Sequence, residues 1–330
     1  MPIQKASSKR KKPLKILLYG ASGVGKTHFA LQATPGKTLI FDAESGSDLF
    51  EGRKGFNFDY WTNEEGQKTA SIKELNKAID YLETAEGIKN YETFIIDPIS
   101  DIWDSLQAQR SDYKDAVLKS KGYGSKVDNR NEASLESFSM KDWADVKKIY
   151  KTLFLRLKNL SQNVILIARE KELTETKPNG DVIKLGEFIP EAEKNTIYAV
   201  DFAVRLIYNE TTGERIGQVV KSRGEGLEKG TIYKNPTFEI FDELINGMAD
   251  GTETEKIDNK DENLFIENEI EIPELQQKII DKATELGGSK NPDVLKVLDN
   301  NKVKNPKNCK DKEVLDNVLK GLEQLAKKEK

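Results

Sequence analysis

Cysteine and histidine are almost absent from this chain, which has one of each, Cys309 and His28, in 330 residues. A single cysteine cannot form an internal disulfide, and it makes a cysteine-based zinc site untenable. Scarce cysteine is also typical of a protein in a reducing cytosol. One histidine argues equally against imidazole-based acid–base or metal chemistry. We expect the His28 side chain near bound phosphates or in solvent.

Long apolar runs are missing as well. No stretch approaches the ~20 residues that a membrane span needs. The N-terminal residues are basic and lack the apolar segment of a secretory signal. We therefore expect a cytoplasmic protein without a membrane partner. The net charge of −4 excludes a surface that is basic throughout, although a local stripe of Lys and Arg stays compatible with nucleic acid.

One glycine-rich stretch carries a specific signal. The apolar run from Lys15 to Tyr19 predicts a buried strand, and the sequence after it fits G-x-x-x-x-G-K-[ST] without a mismatch. Such glycines let successive N–H groups converge on a phosphate at the start of a helix. Lys26 can reach the β- and γ-phosphates, and the Thr27 hydroxyl can ligate Mg²⁺. The predicted nucleotide cradle consists of Gly20, Ala21, Ser22, Gly23, Val24, Gly25, Lys26, Thr27 and His28.

Two further apolar strands end in acidic residues. One is followed by Asp42-Ala43-Glu44, and the other, residues 93–96, is followed by Asp97. Apolar residues before an acidic one form the Walker B arrangement, whose carboxylate orders Mg²⁺. We therefore predict that Thr27 and Asp97 hold the metal ion.

A fourth apolar strand, residues 163–168, is followed by Arg169, at a position that can sense the γ-phosphate in P-loop folds. The polar segment 119–135 separates two predicted helices. Its cations and aromatic side chain suit single-stranded DNA, through phosphate contacts and base stacking. A surface loop without partners is the alternative. The DNA-binding candidates are Lys119, Lys121, Tyr123, Lys126 and Arg130.

Composition divides the chain into four parts. Residues 1–13 form a basic flexible arm, either simply solvated or in contact with nucleic acid. Residues 14–248 predict an α/β domain with a mainly parallel sheet flanked by helices. Residues 249–272 are acidic and lack apolar periodicity, so we expect a disordered linker. Residues 273–330 regain a helical period and predict a small helical module.

Over residues 14–245, several segments resemble, in order, the RecA-like recombinase ATPases, in particular their phage-encoded annealing proteins. The segment Asp42-Ala43-Glu44 resembles the end of a family strand whose glutamate activates the attacking water. The strand before Asp97 resembles the family's Walker B strand. Residues 196–205 are similar to the segment after its second DNA-binding loop.

The resemblance implies ATP and Mg²⁺ as cofactors and a homo-oligomer that binds single-stranded DNA for recombination, annealing or repair. It also implies the host cytoplasm, as for a phage protein. The loop 119–135 and a hairpin at 171–188 would occupy the places of two DNA-binding loops. Arg169 stands where the family carries Gln or His as sensor.

The segment Val219 to Arg223 resembles the strand whose two basic residues reach the γ-phosphate of the neighbouring subunit. The resemblance gives this role to Lys221 and Arg223 and makes hydrolysis depend on assembly. An ordinary charged strand end is the alternative for these two residues. For Glu44 the alternative is an exposed loop carboxylate.

ATP is favoured over GTP because no guanine-reading N/T-K-x-D element follows the P-loop. An L-S-G-G-Q stretch is also absent, which argues against a transporter-type ATPase. Two function classes remain: an oligomeric, DNA-dependent ATPase, and a nucleotide-switched ATPase that acts on a protein partner. The acidic linker and the C-terminal helices would serve the second class as docking elements. A small-molecule kinase is a weaker third possibility, since no arginine-rich lid is evident.

Overall fold

The structure of this protein is a computed structural model that describes residues 10–11, 13–120, 138–177, 179–224, 226–242, 244, 252–253, 272–301, 303, 305–309 and 312–328. The chain forms two compact units, residues 1–257 and 258–330. The strands are β1 (Arg10–Lys11), β2 (Lys15–Gly20), β3 (Thr38–Asp42), β4 (Asp59–Tyr60), β5 (Thr93–Asp97), β6 (Asn163–Thr176), β7 (Val182–Pro190), β8 (Phe202–Asn209), β9 (Glu214–Lys221), β10 (Ile232–Lys234) and β11 (Thr252–Glu253). The α-helices of the first unit are α1 (Lys26–Ala30), α2 (Ile72–Leu82), α3 (Ala85–Asn90), α4 (Ile99–Ser120), α5 (Met140–Asn159) and α6 (Thr196–Ala199). Those of the second unit are α7 (Ile272–Glu285), α8 (Pro292–Asn300) and α9 (Lys312–Lys328).

A sheet of nine strands, counted over the described residues, forms the centre of the first unit. Its order is β10-β9-β8-β2-β6-β5-β3-β4, and β7 pairs with the outer part of β6. The six strands from β8 to β4 in this order run parallel to one another. Strands β7, β9 and β10 are antiparallel to their neighbours.

The central strands are apolar throughout because both faces of the sheet are covered. Alternate residues of β2 point into two separate cores. Leu17 and Tyr19 pack with α2, α4 and α5, whereas Ile16 and Leu18 pack with α1 and with the 3₁₀-helix Phe238–Phe241. The predicted α/β class, a mainly parallel sheet flanked by helices, is confirmed.

Parallel strands bring their carboxyl ends to one edge of the sheet. Gly20 at the end of β2 is in register with Arg169 of β6, and Asp42 at the end of β3 is in register with Asp97 of β5. Strand β6 lies between the P-loop strand and the strand that ends in Asp97. The glycine-rich loop and the predicted acidic residues therefore share one edge.

Two segment ends differ from the sequence expectation. Helix α4 continues to Ser120 and includes Lys119, because the residues before it are mostly good helix formers that prolong the helix past its apolar face. Arg10–Lys11 pairs in parallel with Thr252–Glu253, so these parts of the basic arm and the acidic linker are strands instead of unstructured chain. The opposite charges of the two segments favour their approach.

The second unit contains three α-helices in its described residues. They pack around a small apolar core of Ile279, Val294, Leu315, Val318 and Leu322. The amphipathic spacing of these helices accounts for the core. That this segment works as a separate module stays a prediction. None of the described helices in either unit is long and apolar enough to cross a membrane.

Candidate nucleotide-binding and catalytic site

The loop between β2 and α1 depends on its two defining glycines. A Cβ on Gly20 would lie 2.2 Å from the carbonyl oxygen of Leu206, so the neighbouring strand leaves no room for a side chain. Gly25, the residue before α1, has a φ of 96°, a conformation that favours glycine. Close packing therefore requires the first glycine, and the backbone conformation requires the second.

Lys26 lies inside this loop. Its Nζ donates to the carbonyl oxygens of Gly20, at 3.0 Å, and of Ala21, at 2.8 Å. Burial lowers the pKa of the Lys26 ammonium, although Asp97 and Glu44 oppose that effect. We expect phosphate oxygens to replace the two carbonyls when a nucleotide binds, because a charged acceptor makes the stronger hydrogen bond.

The two predicted metal ligands are in direct contact. The Thr27 hydroxyl donates to Asp97 Oδ2 at 2.6 Å. Burial raises the pKa of Asp97 to about 7, and Asp42 and Glu44 add to this effect while the hydrogen bond from Thr27 opposes it. A Cβ on Gly46 would lie 3.8 Å from Thr27 Oγ1, so the loop after β3 borders the same hydroxyl. A buried, poorly compensated carboxylate beside a hydroxyl fits Mg²⁺, which prefers oxygen ligands.

Asp42 shapes the loop that carries Glu44. Its Oδ1 accepts from the Glu44 backbone N–H at 3.2 Å. Its Oδ2 accepts from the backbone N–H of Ser47, at 3.2 Å, and from the Ser47 hydroxyl. Lys68 approaches the same carboxylate at 3.2 Å. Asp42 therefore positions Glu44, and nothing in the sequence pattern indicated the contribution of Lys68.

Arg169, at the predicted sensor position, is surrounded by four carboxylates. Its Nη1 lies 2.5 Å from Glu44 Oε1 and 2.5 Å from Asp101 Oδ1. Its Nη2 lies 3.1 Å from Asp104 Oδ2, and its Nε lies 3.1 Å from Glu191 Oε2. Burial opposes the charge of Arg169, but these acidic partners raise its pKa overall. The predicted base and the predicted sensor are thus directly bonded.

Lys221 and Arg223 lie at the opposite edge of the sheet, because β9 runs antiparallel to β8 and ends there. Lys221 Nζ donates to the carbonyl oxygens of Ile197 and Val200, both at 2.7 Å. Arg223 Nη2 donates to the carbonyl oxygen of Tyr198 at 3.0 Å. Both cations therefore bind around α6 in their own chain, away from its P-loop edge, and their catalytic role stays a prediction.

Only one of the five DNA-binding candidates lies within the described residues: Lys119, close to the end of α4. The other four, which lie outside them, are Lys121, Tyr123, Lys126 and Arg130. The second predicted DNA segment is a hairpin of β6 and β7. The backbone N–H of Glu191, just after β7, donates to the Arg169 carbonyl oxygen at 2.7 Å. The hairpin therefore begins and ends beside Arg169 and the four carboxylates around it.

The side chain of His28 packs beside two aromatic rings. Its ring centroid lies 5.7 Å from that of Phe50 and 5.3 Å from that of Phe56. Partial burial lowers the pKa of His28, and Arg215 and Arg53 add to the effect. The imidazole is therefore mostly neutral at pH 7 and offers no positive charge to a phosphate.

Arg215 contacts the P-loop, although the sequence pattern did not single it out. Its Nε donates to the carbonyl oxygen of Val24 at 3.1 Å, across 191 residues of sequence. Arg215 belongs to β9, whose antiparallel return brings this residue back to the P-loop edge. No local motif marks such a residue, because the contact depends on the strand order.

Three features of this edge define a P-loop nucleotide-binding ATPase: a glycine-rich loop after a buried strand, a lysine inside it, and a threonine bonded to an acidic strand end. The family model described as AAA domain matches residues 12–227. The chain therefore belongs to the AAA domain family. Among solved structures it is similar to the crystal structure of the RadB recombinase, at 15% sequence identity and a TM-score of 0.39, over 67% of this chain and 86% of that chain. No curated protein matches it.

Proposed function

We propose that this protein binds ATP with Mg²⁺, hydrolyses it as a homo-oligomer, and binds single-stranded DNA for phage DNA recombination, annealing or repair in the host cytoplasm. The contact of Thr27 with Asp97, with the loop of Glu44 beside it, carries the ATPase part of the proposal. The DNA part is supported by the resemblance of the chain to RecA-like annealing proteins. It is also supported by the β6–β7 hairpin, which begins at the site.

Each site residue has a role in the proposed hydrolysis. Lys26 binds the β- and γ-phosphate oxygens and offsets the charge that builds on them. Thr27 and Asp97 hold Mg²⁺, which when bound supplies further positive charge at the same oxygens. Glu44 orients and deprotonates the attacking water. Positioning and electrostatic stabilisation are most of what phosphoryl transfer requires of a protein.

Arg169 couples nucleotide binding to Glu44, the proposed general base. While Glu44 is bonded to Arg169, its carboxylate oxygen is occupied by the guanidinium and is not free to accept a hydrogen bond from an attacking water. The γ-phosphate of ATP is a stronger partner for a guanidinium than a single carboxylate is. We expect it to draw Arg169 away, so that bound ATP frees Glu44.

The positions of Lys221 and Arg223 support the proposed oligomer. Because they lie at the edge opposite the P-loop, they serve a nucleotide only when a second copy presents its P-loop to them. An in-trans cation of this kind contributes ~10³–10⁵ in rate. Turnover per subunit should therefore rise with protein concentration.

Replacing Arg169 by Gln is expected to lower the affinity for a non-hydrolysable ATP analogue roughly 10- to 100-fold and to leave that for ADP nearly unchanged. The reason is that only the triphosphate offers the γ-oxygens. Calorimetric titration of both nucleotides measures the effect. Arg156→Gln is the matched control, because Arg156 also binds two carboxylates, of Asp80 and Glu83, away from the P-loop. Equal losses for ADP and the analogue would contradict the sensor role.

Single-stranded DNA is expected to stimulate ATP hydrolysis, with DNA binding that weakens steeply as salt rises. For a single strand the logarithmic slope is about −0.7 per phosphate contacted. ATPase rates over a DNA titration, at several protein concentrations and two salt concentrations, test the ligand and the need for assembly together. ATPase rates that do not change with DNA but rise with protein concentration would contradict the proposed DNA binding and support the proposed oligomer.

A second function is a nucleotide-switched ATPase that acts on a protein partner without DNA. The hairpin favours it, because Val182, Leu185 and Phe188 expose apolar side chains there. Protein partners cover such surfaces more readily than a polyanion does. The acidic linker and the C-terminal helices would add docking elements. Turnover that needs this partner and ignores DNA distinguishes this function.

A further inference from the structure

Arg215 leaves part of its guanidinium unused beside the P-loop. Besides the bond from Nε to Val24, its Nε, Cδ and Cζ lie 3.0, 3.5 and 3.9 Å from the point where a Cβ on Gly25 would sit. The guanidinium therefore covers Gly25. Within the described ranges, its two terminal nitrogens have no hydrogen-bond acceptor. Two N–H-bearing groups of a cation are thus available next to the loop.

The backbone of Arg215 is held in place by hydrogen bonds. The Arg215 N–H donates to Asn235 Oδ1 at 2.9 Å, and its carbonyl oxygen accepts from the Asn235 N–H at 2.6 Å. Across the hairpin it is paired with Tyr208, whose ring centroid lies 6.0 Å from Cζ. Arg215 is therefore presented by a sheet strand, which holds a side chain more precisely than a loop does.

The strand order places Arg215 and the two acidic strand ends on opposite sides of β2. The carboxylates of Asp42 and Asp97 come from β3 and β5, on one side of β2. Arg215 comes from β9, on the other side. Arg215 and Arg53 both lie near His28 and lower its pKa, and neither arginine forms an ion pair with a carboxylate in the part of the chain that the structure describes. Arg215 thus offers a positive charge on the side of β2 opposite to Asp42 and Asp97.

We propose that Arg215 binds the α-phosphate of the nucleotide in its own subunit. The inference rests on the proposed function, because it needs a nucleotide in the P-loop. The metal-binding and hydrolytic groups occupy the β3 and β5 side, which assigns the γ-phosphate to that side. A polyphosphate that follows the loop then has its α-phosphate towards β8 and β9, where the free fork of Arg215 matches phosphate oxygens.

This position separates Arg215 from Arg169 by an observable consequence. ATP and ADP share the α-phosphate, so loss of Arg215 weakens both nucleotides by the same factor. Loss of Arg169 affects the triphosphate alone.

The test measures binding of ADP, a non-hydrolysable ATP analogue and α-thio-ADP, in which sulfur replaces one α-phosphate oxygen. The proteins are the full chain, Arg215→Gln, Arg215→Lys, and the control Arg205→Gln, whose arginine on β8 pairs with Glu170. We expect Arg215→Gln to weaken ADP and the analogue equally, roughly 10- to 100-fold, and Arg215→Lys to weaken them less. The unaltered chain should prefer ADP over α-thio-ADP, because sulfur is the poorer acceptor. Arg215→Gln should lose this preference.

Two results would overturn the α-phosphate contact. If Arg215→Gln weakens both nucleotides but keeps the preference for ADP over α-thio-ADP, Arg215 only braces the loop at Val24. If the loss is confined to the triphosphate, the contact is to the γ-phosphate. If the unaltered chain binds none of the three compounds, the proposed function fails first. Equal melting temperatures of the variants exclude misfolding as the cause.

Discussion

Glu44→Gln is expected to leave ATP binding intact and to reduce hydrolysis roughly 10²- to 10⁴-fold, the usual contribution of a general base. The amide keeps the shape of the side chain and can still occupy the loop that Asp42 holds, but it cannot accept a proton from water. Calorimetry for ATP binding and a steady-state ATPase assay measure the two effects separately. Lys26→Ala should differ in kind, because it removes a phosphate contact and therefore lowers nucleotide affinity itself.

The control for Glu44 is Asp104→Asn. Asp104 also pairs with Arg169, at 3.1 Å, but it is carried by α4 and not by the loop beside Thr27. If Glu44 serves only as a counter-ion of Arg169, the two variants should have similar, small effects on the rate. A large loss of the hydrolysis rate in Glu44→Gln alone supports the role of Glu44 as general base. A Glu44→Gln protein that no longer binds ATP would mean that the residue is structural.

Asp97→Asn is expected to abolish Mg²⁺-dependent hydrolysis while it stabilises the nucleotide-free protein above pH 7. The Asp97 pKa is about 7 in the folded chain, against about 3.9 when unfolded. Between these two pKa values Asp97 is protonated in the folded chain and ionised in the unfolded chain. The free energy of unfolding therefore falls as the pH rises from about 4 through 7. The neutral amide avoids this loss, so the gain should be near zero at pH 4 and on the order of 1–3 kcal/mol at pH 8.

Thermal unfolding at pH 5 and pH 8, without Mg²⁺ or nucleotide, checks the stability part. Asp42→Asn is the matched control, because Asp42 ends the neighbouring strand but is compensated by Lys68 and by Ser47. That substitution should destabilise the protein at pH 8, because the buried Asp42 side chain loses the charge that pairs with Lys68. If Asp97→Asn destabilises equally at both pH values, the carboxylate is a structural hydrogen-bond partner and not a strained metal ligand.

Much of the fold could be predicted from local sequence. The P-loop from Gly20 to Thr27 is a contiguous motif, and its backbone demands are set by the residues themselves. The strands that end at Asp42 and Asp97 are short apolar runs, which a parallel sheet covered on both faces requires. Residues 201–208 and 215–222 alternate between apolar and polar on either side of a turn at Gly213, a pattern that predicts the hairpin of β8 and β9. Each of these signals is contained in a few neighbouring residues.

Composition was a weaker guide at the ends of segments. Lys119 reads as part of a polar loop, yet it belongs to α4, because helix propensity extends a helix beyond its buried face. The basic Arg10–Lys11 and the acidic Thr252–Glu253 read as unstructured chain, yet they pair as strands. Such pairing depends on which segments meet in space, and composition carries no information about that.

The sequence by itself determined that a phosphate cradle follows the first core strand and that acidic residues end two others, because each is a local pattern with one physical explanation. Only the tertiary structure decided that Arg169 is bonded to Glu44, that Lys221 and Arg223 lie at the far edge, and that Arg215 lies on Val24. A charged side chain at a strand end is equally well solvated in many tertiary arrangements, so the sequence pattern alone does not show which groups it contacts. The order and direction of the strands decide those contacts.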